Sequence, residues 1–366
     1  MRQIWIVLLL CTGCTPAPQT QMPERAPGVP GAWSQEGFQK ADRPRPFHFP
    51  EDHAPHQGYR TEWWYLTGNL HTQTQRRFGY QITLFRIALT PQEPERVTSL
   101  WRTSHIWMAH LALSDVQRGE HHHQERFARE AIGLAGAERD PLRLWLEDWQ
   151  LLYNDTESTW RVSAATAGFA LELELEPLRK PTLQGESGLS RKGSETGNAS
   201  YYYSITRLTT RGDLRIGAEN IQVTGLSWLD REWSTSALGK NLAGWDWFSL
   251  QLNDGSDLMF YRLREKSGVS SVYSAGSLAR PDTQPVTLKH DDVECTPLRW
   301  WKSGKGARYP VAWTLYIKPL QLRLVVEALL DDQEMDLSVR YWEGAVRVHD
   351  EGQNELGAGY LEMTGY

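Results

Sequence analysis

A chain of 366 residues, 40% hydrophobic and 23% charged, is long enough for two ordinary domains and rules out fibrous or wholly disordered architectures. With 39 Lys and Arg against 45 Asp and Glu, its net charge of -6 provides no basic field to displace phosphate counterions, which argues against nucleic-acid binding. The 17 Trp, against 9 Phe, point to rigid rings with one polar edge that hold and orient apolar groups.

At the N-terminus, Arg2, the apolar stretch 4–10 and Cys11-Thr12-Gly13-Cys14 have the layout of an export signal (1–14) that ends in a lipid-modified cysteine. The stretch is far shorter than the ~20 apolar residues needed to span a bilayer. Lipidation at Cys14 predicts an envelope protein anchored to a membrane. Thr15 rather than Asp after it is similar to bacterial sorting signals for the outer membrane, which predicts a periplasm-facing chain. Residues 15–46 read as a Pro-rich tether, since eight of the 19 prolines fall within 15–50. Acylation consumes Cys14, and Cys295 then has no partner for an internal disulfide.

From Gly58 onward, short runs alternate apolar and polar residues, the pattern of half-buried strands. In 169–176, Phe169, Leu171, Leu173 and Leu175 face inward while Glu172, Glu174 and Glu176 face water. Similar runs lie at 63–70, 78–89, 142–149, 201–208, 214–223, 320–326 and 341–348. Residues 245–252, Asn253-Asp254-Gly255-Ser256 and 258–263 predict a hairpin, because Asp-Gly supplies the positive φ of a tight turn. Only 124–131 has helical spacing. So many strands without alternating helices predict an all-β chain of antiparallel barrels or sandwiches. The glycine-bearing insertion 177–197 is expected to act as a lid or a domain crossing, with a second boundary near 231–241.

No nucleophile elbow, zinc-protease helix or phosphate loop is present, and Gly357-Ala358-Gly359 lacks the third glycine of a dinucleotide fingerprint. His121-His122-His123 reads as a solvated loop rather than a metal site, since adjacent residues on a strand point apart. No metal and no organic cofactor is expected.

Three segments resemble the signatures of the AttH-like family, which includes the carotenoid 1,2-hydratases: Thr61-Glu62-Trp63-Trp64-Tyr65-Leu66-Thr67-Gly68, the run from Thr224 to Ser234 around Trp228-Leu229-Asp230-Arg231-Glu232-Trp233, and the end of the chain from Gly357. Tyr202-Tyr203-Ser204, Gly244-Trp245-Asp246-Trp247-Phe248 and Tyr341-Trp342-Glu343-Gly344 follow the same pattern. The resemblance covers 47–366. It implies two tandem lipocalin-like antiparallel β-barrel domains, 47–232 and 233–366, with a hydrophobic cavity in or between them. It also implies a lipophilic ligand and, because some similar proteins are encoded beside them, an ABC-transporter permease as partner. The secreted-hydrolase label carried by some similar proteins has no motif here.

Hydrating an isolated alkene needs an acid still protonated at working pH, walls that tolerate a cation, and a placed water. Asp230, between Trp228 and Trp233, is the first expectation for that acid, where the resemblance places the hydratases' essential Asp. Glu62 is the second carboxylate, to position water or orient Asp230, and Asp246 and His110 are further candidates, His110 as a proton relay. Trp63, Trp64, Tyr65, Tyr203, Trp228, Trp233, Trp245 and Trp247 are the expected ligand-facing rings. The competing reading pairs Glu62 with Arg231 as a pin between the domains and leaves the rings as barrel core. At the level of function, a cofactor-free hydratase competes with a carrier of an apolar ligand.

Overall fold

The computed structural model describes residues 35–91, 99, 101–236 and 238–366. The expected signal, Cys14 and most of the tether lie outside the described residues. The described chain is all-β, with three short 3-10 turns as its only helical elements.

Thirteen strands build the first sheet. They are β1 (Thr61–His71), β2 (Arg77–Ala88), β3 (His105–Asp115), β4 (Glu120–Arg129), β5 (Ala135–Arg139), β6 (Leu142–Leu146), β7 (Trp149–Asn154), β8 (Thr159–Ala165), β9 (Phe169–Pro177), β10 (Thr182–Leu183), β11 (Leu189–Arg191), β12 (Ala199–Ile216) and β13 (Glu219–Ser234). Its order is β4-β3-β2-β1-β13-β12-β9-β8-β7-β6-β5, with β10 and β11 both on β12. The sheet curls until Arg126 of β4 reaches the Ala165 carbonyl at 3.0 Å, across the barrel-like opening.

The second sheet holds β14 (Leu242–Leu252), β15 (Asp257–Glu265), β16 (Ala275–Ala279), β17 (Val286–Lys289), β18 (Val293–Lys302), β19 (Arg308–Ile317), β20 (Leu322–Ala328), β21 (Glu334–Asp336), β22 (Arg340–His349) and β23 (Glu355–Met363). Its order is β17-β16-β15-β14-β23-β22-β20-β19-β18, with β21 on β22. The architecture is that of two nearly closed, lipocalin-like antiparallel sheets.

Alternation explains the cores. Phe169, Leu171, Leu173 and Leu175 are all buried, and the predicted hairpin is β14–β15. The first core fills the curled sheet with Trp64, Trp107, Trp149, Trp160 and Trp233, so its lumen is packed with the chain's own indoles. A second core around Phe248, Trp313 and Trp342 fills the other sheet. The third joins the two sheets and includes Tyr65, Tyr202, Trp228, Trp247, Tyr261 and Tyr360.

Cross-sheet bonds hold that seam. Asn69 Nδ2 donates to the Gly359 carbonyl at 2.9 Å, Gln251 Nε2 donates to the Thr206 and Ser227 carbonyls at 2.8 and 2.9 Å, and Asp257 pairs with Arg207 at 2.7 Å. At Gly79 the sheets approach so closely that an added Cβ would lie 2.5 Å from Ala345 Cβ.

Three local expectations are corrected. The 124–131 segment is strand, not helix: it lies largely in β4, where Phe127 pairs with Met108, and tertiary pairing overrides its weak helical spacing. His121 to His123 lie in the same strand rather than in a loop, and His121 Nδ1 lies 2.9 Å from Ser114 Oγ. The 177–197 insertion is no free lid: β10 and β11 fold back onto β12, and Arg179 and Ser190 bond across to Asp257 and Tyr261.

Candidate active site

In an antiparallel sheet, directly paired residues project to the same side, so register converts a sequence into a surface. One line crosses the first sheet: Glu125 pairs with His110, His110 with Thr83, Thr83 with Tyr65, Tyr65 with Asp230, Asp230 with Ser204 and Ser204 with Thr182. This polar row faces the second sheet. A second row faces back, with Glu343 paired to Glu362, Glu362 to Trp247 and Trp247 to Tyr261.

Asp230 is 3% exposed and has only neutral hydrogen-bond donors. Tyr202 Oη donates to its Oδ2 at 2.5 Å and Trp228 Nε1 to its Oδ1 at 2.6 Å. Ser204 is a third partner, and is itself held by Gln184 Nε2 at 2.9 Å. Trp247 Nε1 reaches over from the second sheet to Tyr202 Oη at 3.1 Å. Burial raises the Asp230 pKa from 3.8 to about 7; the three donors pull it down and nearby Glu232 pushes it up. Among the described residues no Lys or Arg pairs with it.

Two carboxyls that sequence reasoning left unassigned complete the site. Glu343 is 1% exposed, and burial, then Glu362 beside it, push its pKa well above the ordinary range. The Tyr65 and Tyr341 phenols approach it and act in the other direction, yet Tyr65 Oη and both Glu343 oxygens make no hydrogen bond of ordinary length and angle. Glu362 lies at the partly exposed rim, where Trp245 Nε1 donates to it at 2.8 Å. Burial, opposed by that bond and reinforced by Asp230 and Glu232, raises its pKa to about 7. Glu343 stands in the run 341–348 read as a strand and Glu362 in the C-terminal segment that carries the family resemblance, but pairing between distant segments sets them side by side.

The rim is formed by Trp63, Trp245 and the Glu232–Lys192 pair, 3.5 Å apart, with the Lys192 ammonium 3.9 Å from the centre of the Tyr261 ring. Phe85 and Met108 continue the row of Trp63 outward as half-buried apolar residues.

The expected residues divide by parity. Trp63, Tyr65, Trp228, Trp245 and Trp247 are on the Asp230 side. Trp64, Tyr203 and Trp233 are on the other face, inside the first core, because each is one residue out of step.

Glu62 is also on that other face. It pairs with Arg86 at 2.5 Å and Arg231 at 3.0 Å and accepts the His56 backbone N–H at 3.1 Å. Burial would raise its pKa, but Arg86, Arg231 and His56 outweigh this and hold it far below the carboxylate range. It therefore neither orients Asp230 nor positions water there. Its ion pair with Arg231 lies within the first sheet and does not join the domains: Arg231 also donates to the Ala54 and Trp63 carbonyls at 2.9 and 3.0 Å, fastening the entry loop to β1.

Asp246 lies on the inner face of the second sheet, bonded by Tyr366 Oη at 2.6 Å and flanked by Arg264 and Arg262 at 3.2 and 3.5 Å, so it is also outside the site. His110 is in the polar row: its Nδ1 is 2.8 Å from Tyr341 Oη and its Nε2 3.0 Å from Glu125 Oε1.

A family model described as AttH-like matches residues 40–366. No curated protein matches. Among solved structures, a Nitrosomonas europaea protein named as an AttH is 36% identical, with a TM-score of 0.79, and the match covers 93% of this chain and 100% of that one. Kievitone hydratase from Nectria haematococca (14% identity, TM-score 0.65, 90% and 98% covered) and CghA (13%, 0.56, 91% and 96%) share the fold.

Proposed function

This chain belongs to the AttH-like family, and from that premise we propose that it is a cofactor-independent hydratase acting on an alkene in a lipophilic, isoprenoid-like molecule, with Asp230 as the acid. The observation that carries this reading is the environment of Asp230, a buried carboxyl held by neutral donors with its pKa raised to about 7. Such a group still holds its proton in about half of the molecules at pH 7, where an ordinary Asp is fully ionised, and can deliver it. The fold shared with kievitone hydratase adds a second, weaker support, since fold alone does not fix chemistry.

In this mechanism the Asp230 O–H proton passes to one alkene carbon, and the π electron pair forms the new C–H bond. The cation left on the neighbouring carbon faces the rings of Tyr65, Trp228 and Trp247, whose quadrupoles stabilise it by ~2 kcal/mol or more in a dry site. Water adds to the cation, and its surplus proton goes to a site carboxylate, leaving an alcohol.

A non-catalytic carrier is the competing reading and draws on the tether and anchor alone. Mass spectrometry of lipids extracted after incubation with an envelope lipid extract separates the two. Wild type should return a ligand heavier by one water, and Asp230→Asn should return it unaltered. An unaltered ligand from both proteins supports the carrier.

We also propose that the chain is exported, anchored through Cys14 to the periplasmic face of the outer membrane, and served by an ABC permease. Retention of Cys14→Ser in the membrane fraction would remove the anchor from this proposal.

A further inference from the structure

Glu343 raises a question that Asp230 does not answer. It is the more enclosed of the two facing glutamates, its oxygens have no well-formed partner among the protein atoms, and it lies beside Tyr65, the register partner of the proposed acid. Buried carboxyls without a partner are rare, because each costs its full desolvation, so a specific use is expected.

A line of titratable groups leads away from it. The Tyr341 phenol lies beside Glu343, two residues back on the same strand and on the same face. Tyr341 Oη is 2.8 Å from His110 Nδ1, which crosses the gap between the sheets. His110 Nε2 is 3.0 Å from Glu125 Oε1. Glu125 reaches solvent, with 15% of its side chain exposed, and Ser338 donates to it at 2.6 Å through its hydroxyl. Imidazole in the middle of such a line is suited to relaying, since it accepts at one nitrogen while releasing from the other.

We propose that Glu343 is a second proton-transfer group of the site and that it exchanges protons with solvent through Tyr341, His110 and Glu125. Each hop breaks one O–H or N–H bond and forms one. Outward, the Glu343 proton goes to Tyr341 Oη as the phenol proton goes to His110 Nδ1, and the Nε2 proton goes to the Glu125 carboxylate and then to water. In the hydratase reading, on which this role in turnover rests, Glu343 passes its own proton outward along this line as it takes the surplus proton of the added water, so the surplus charge leaves without opening the rim.

The test needs no substrate, so its failure is distinct from failure of the hydratase reading, which the Asp230→Asn assay decides. Buried protonated carboxyls give an infrared C=O band that shifts when the proton is replaced by deuterium. The Glu343 and Asp230 bands are assigned as those lost in Glu343→Gln and Asp230→Asn, and the intact protein is mixed rapidly into D2O at about pH 6, below the raised value of about 7 for Asp230. His110→Phe and Tyr341→Phe should slow exchange of the Glu343 band by on the order of 10²-fold, the scale of a lost acid–base group, while the Asp230 band keeps its rate. Glu125→Gln, at the exposed end, should give the same selective slowing, and its amide oxygen can still accept from Ser338 across the seam. Unchanged Glu343 exchange in these variants, equal slowing of both bands, or the absence of a protonated Glu343 band would each overturn the proposal.

Discussion

Asp230 and Arg231 are neighbours in sequence but belong to different environments. The Asp230 carboxyl points between the sheets onto Tyr202 and Trp228, whereas the Arg231 guanidinium lies 3.7 Å over the Trp64 ring inside the first barrel and pairs with Glu62. The pleat of β13 thus separates an acid from the cation that would otherwise neutralise it. This separation lets one strand carry both a proton donor and a buried ion pair.

Asp230→Asn removes the ionisable group while keeping most of its hydrogen bonds. Turnover should fall by on the order of 10²–10⁴-fold, the usual worth of a general acid. The folded state holds the Asp230 proton up to about pH 7, whereas the unfolded chain releases it near 3.8, so folding binds protons between these values. This contribution to stability is therefore full below pH 3.8 and is lost as pH rises to about 7. Urea titrations across that range should show a shallower decline for the variant than for wild type.

Tyr202→Phe deletes a donor that favours the charged form of Asp230. The carboxyl pKa should rise further, and the fall of activity on the alkaline side should move to higher pH. A pH–rate profile of kcat/KM measures the shift; an unmoved limb would detach that limb from Asp230.

Glu62→Gln leaves Arg86 and Arg231 buried beside a neutral group. Breaking such a pair costs about 3–5 kcal/mol, so chemical denaturation should show a large loss of stability. Because Glu62 faces away from Asp230, protein that remains folded should keep the Asp230 titration near its wild-type position.

Gly79→Val drives a side chain into Ala345 across the seam. Overpacking of this kind costs about 1–3 kcal/mol. It should alter the near-ultraviolet dichroism of the Trp and Tyr residues that line the seam, while the first barrel's own indoles keep their environment.

Much of the fold was legible because alternation exposes one face of a strand at a time, as in Phe169 to Leu175. Asp230 stood out as a candidate through its aromatic neighbours and the family resemblance. Glu62 was misleading for a reason that period-2 geometry explains: next to Trp63 and Trp64 in sequence, it shares a face with Trp64 and not with Tyr65, the register partner of Asp230. Glu343 and Glu362 were missed because β22 and β23 meet the polar row of the first sheet only through packing between distant segments, which no local pattern encodes. The strand in place of the helix at 124–131 has a related cause, since pairing with β3 decides a segment whose own preference is weak.

Whether Asp230 is a neutral-pH acid is decided by titrating its carboxyl, followed as the infrared C=O band present in wild type and missing from Asp230→Asn. Asp230 should be protonated at about pH 6 and ionise with a midpoint near the raised value of about 7. A carboxylate already ionised there, with its midpoint near the ordinary 3.8, would contradict it.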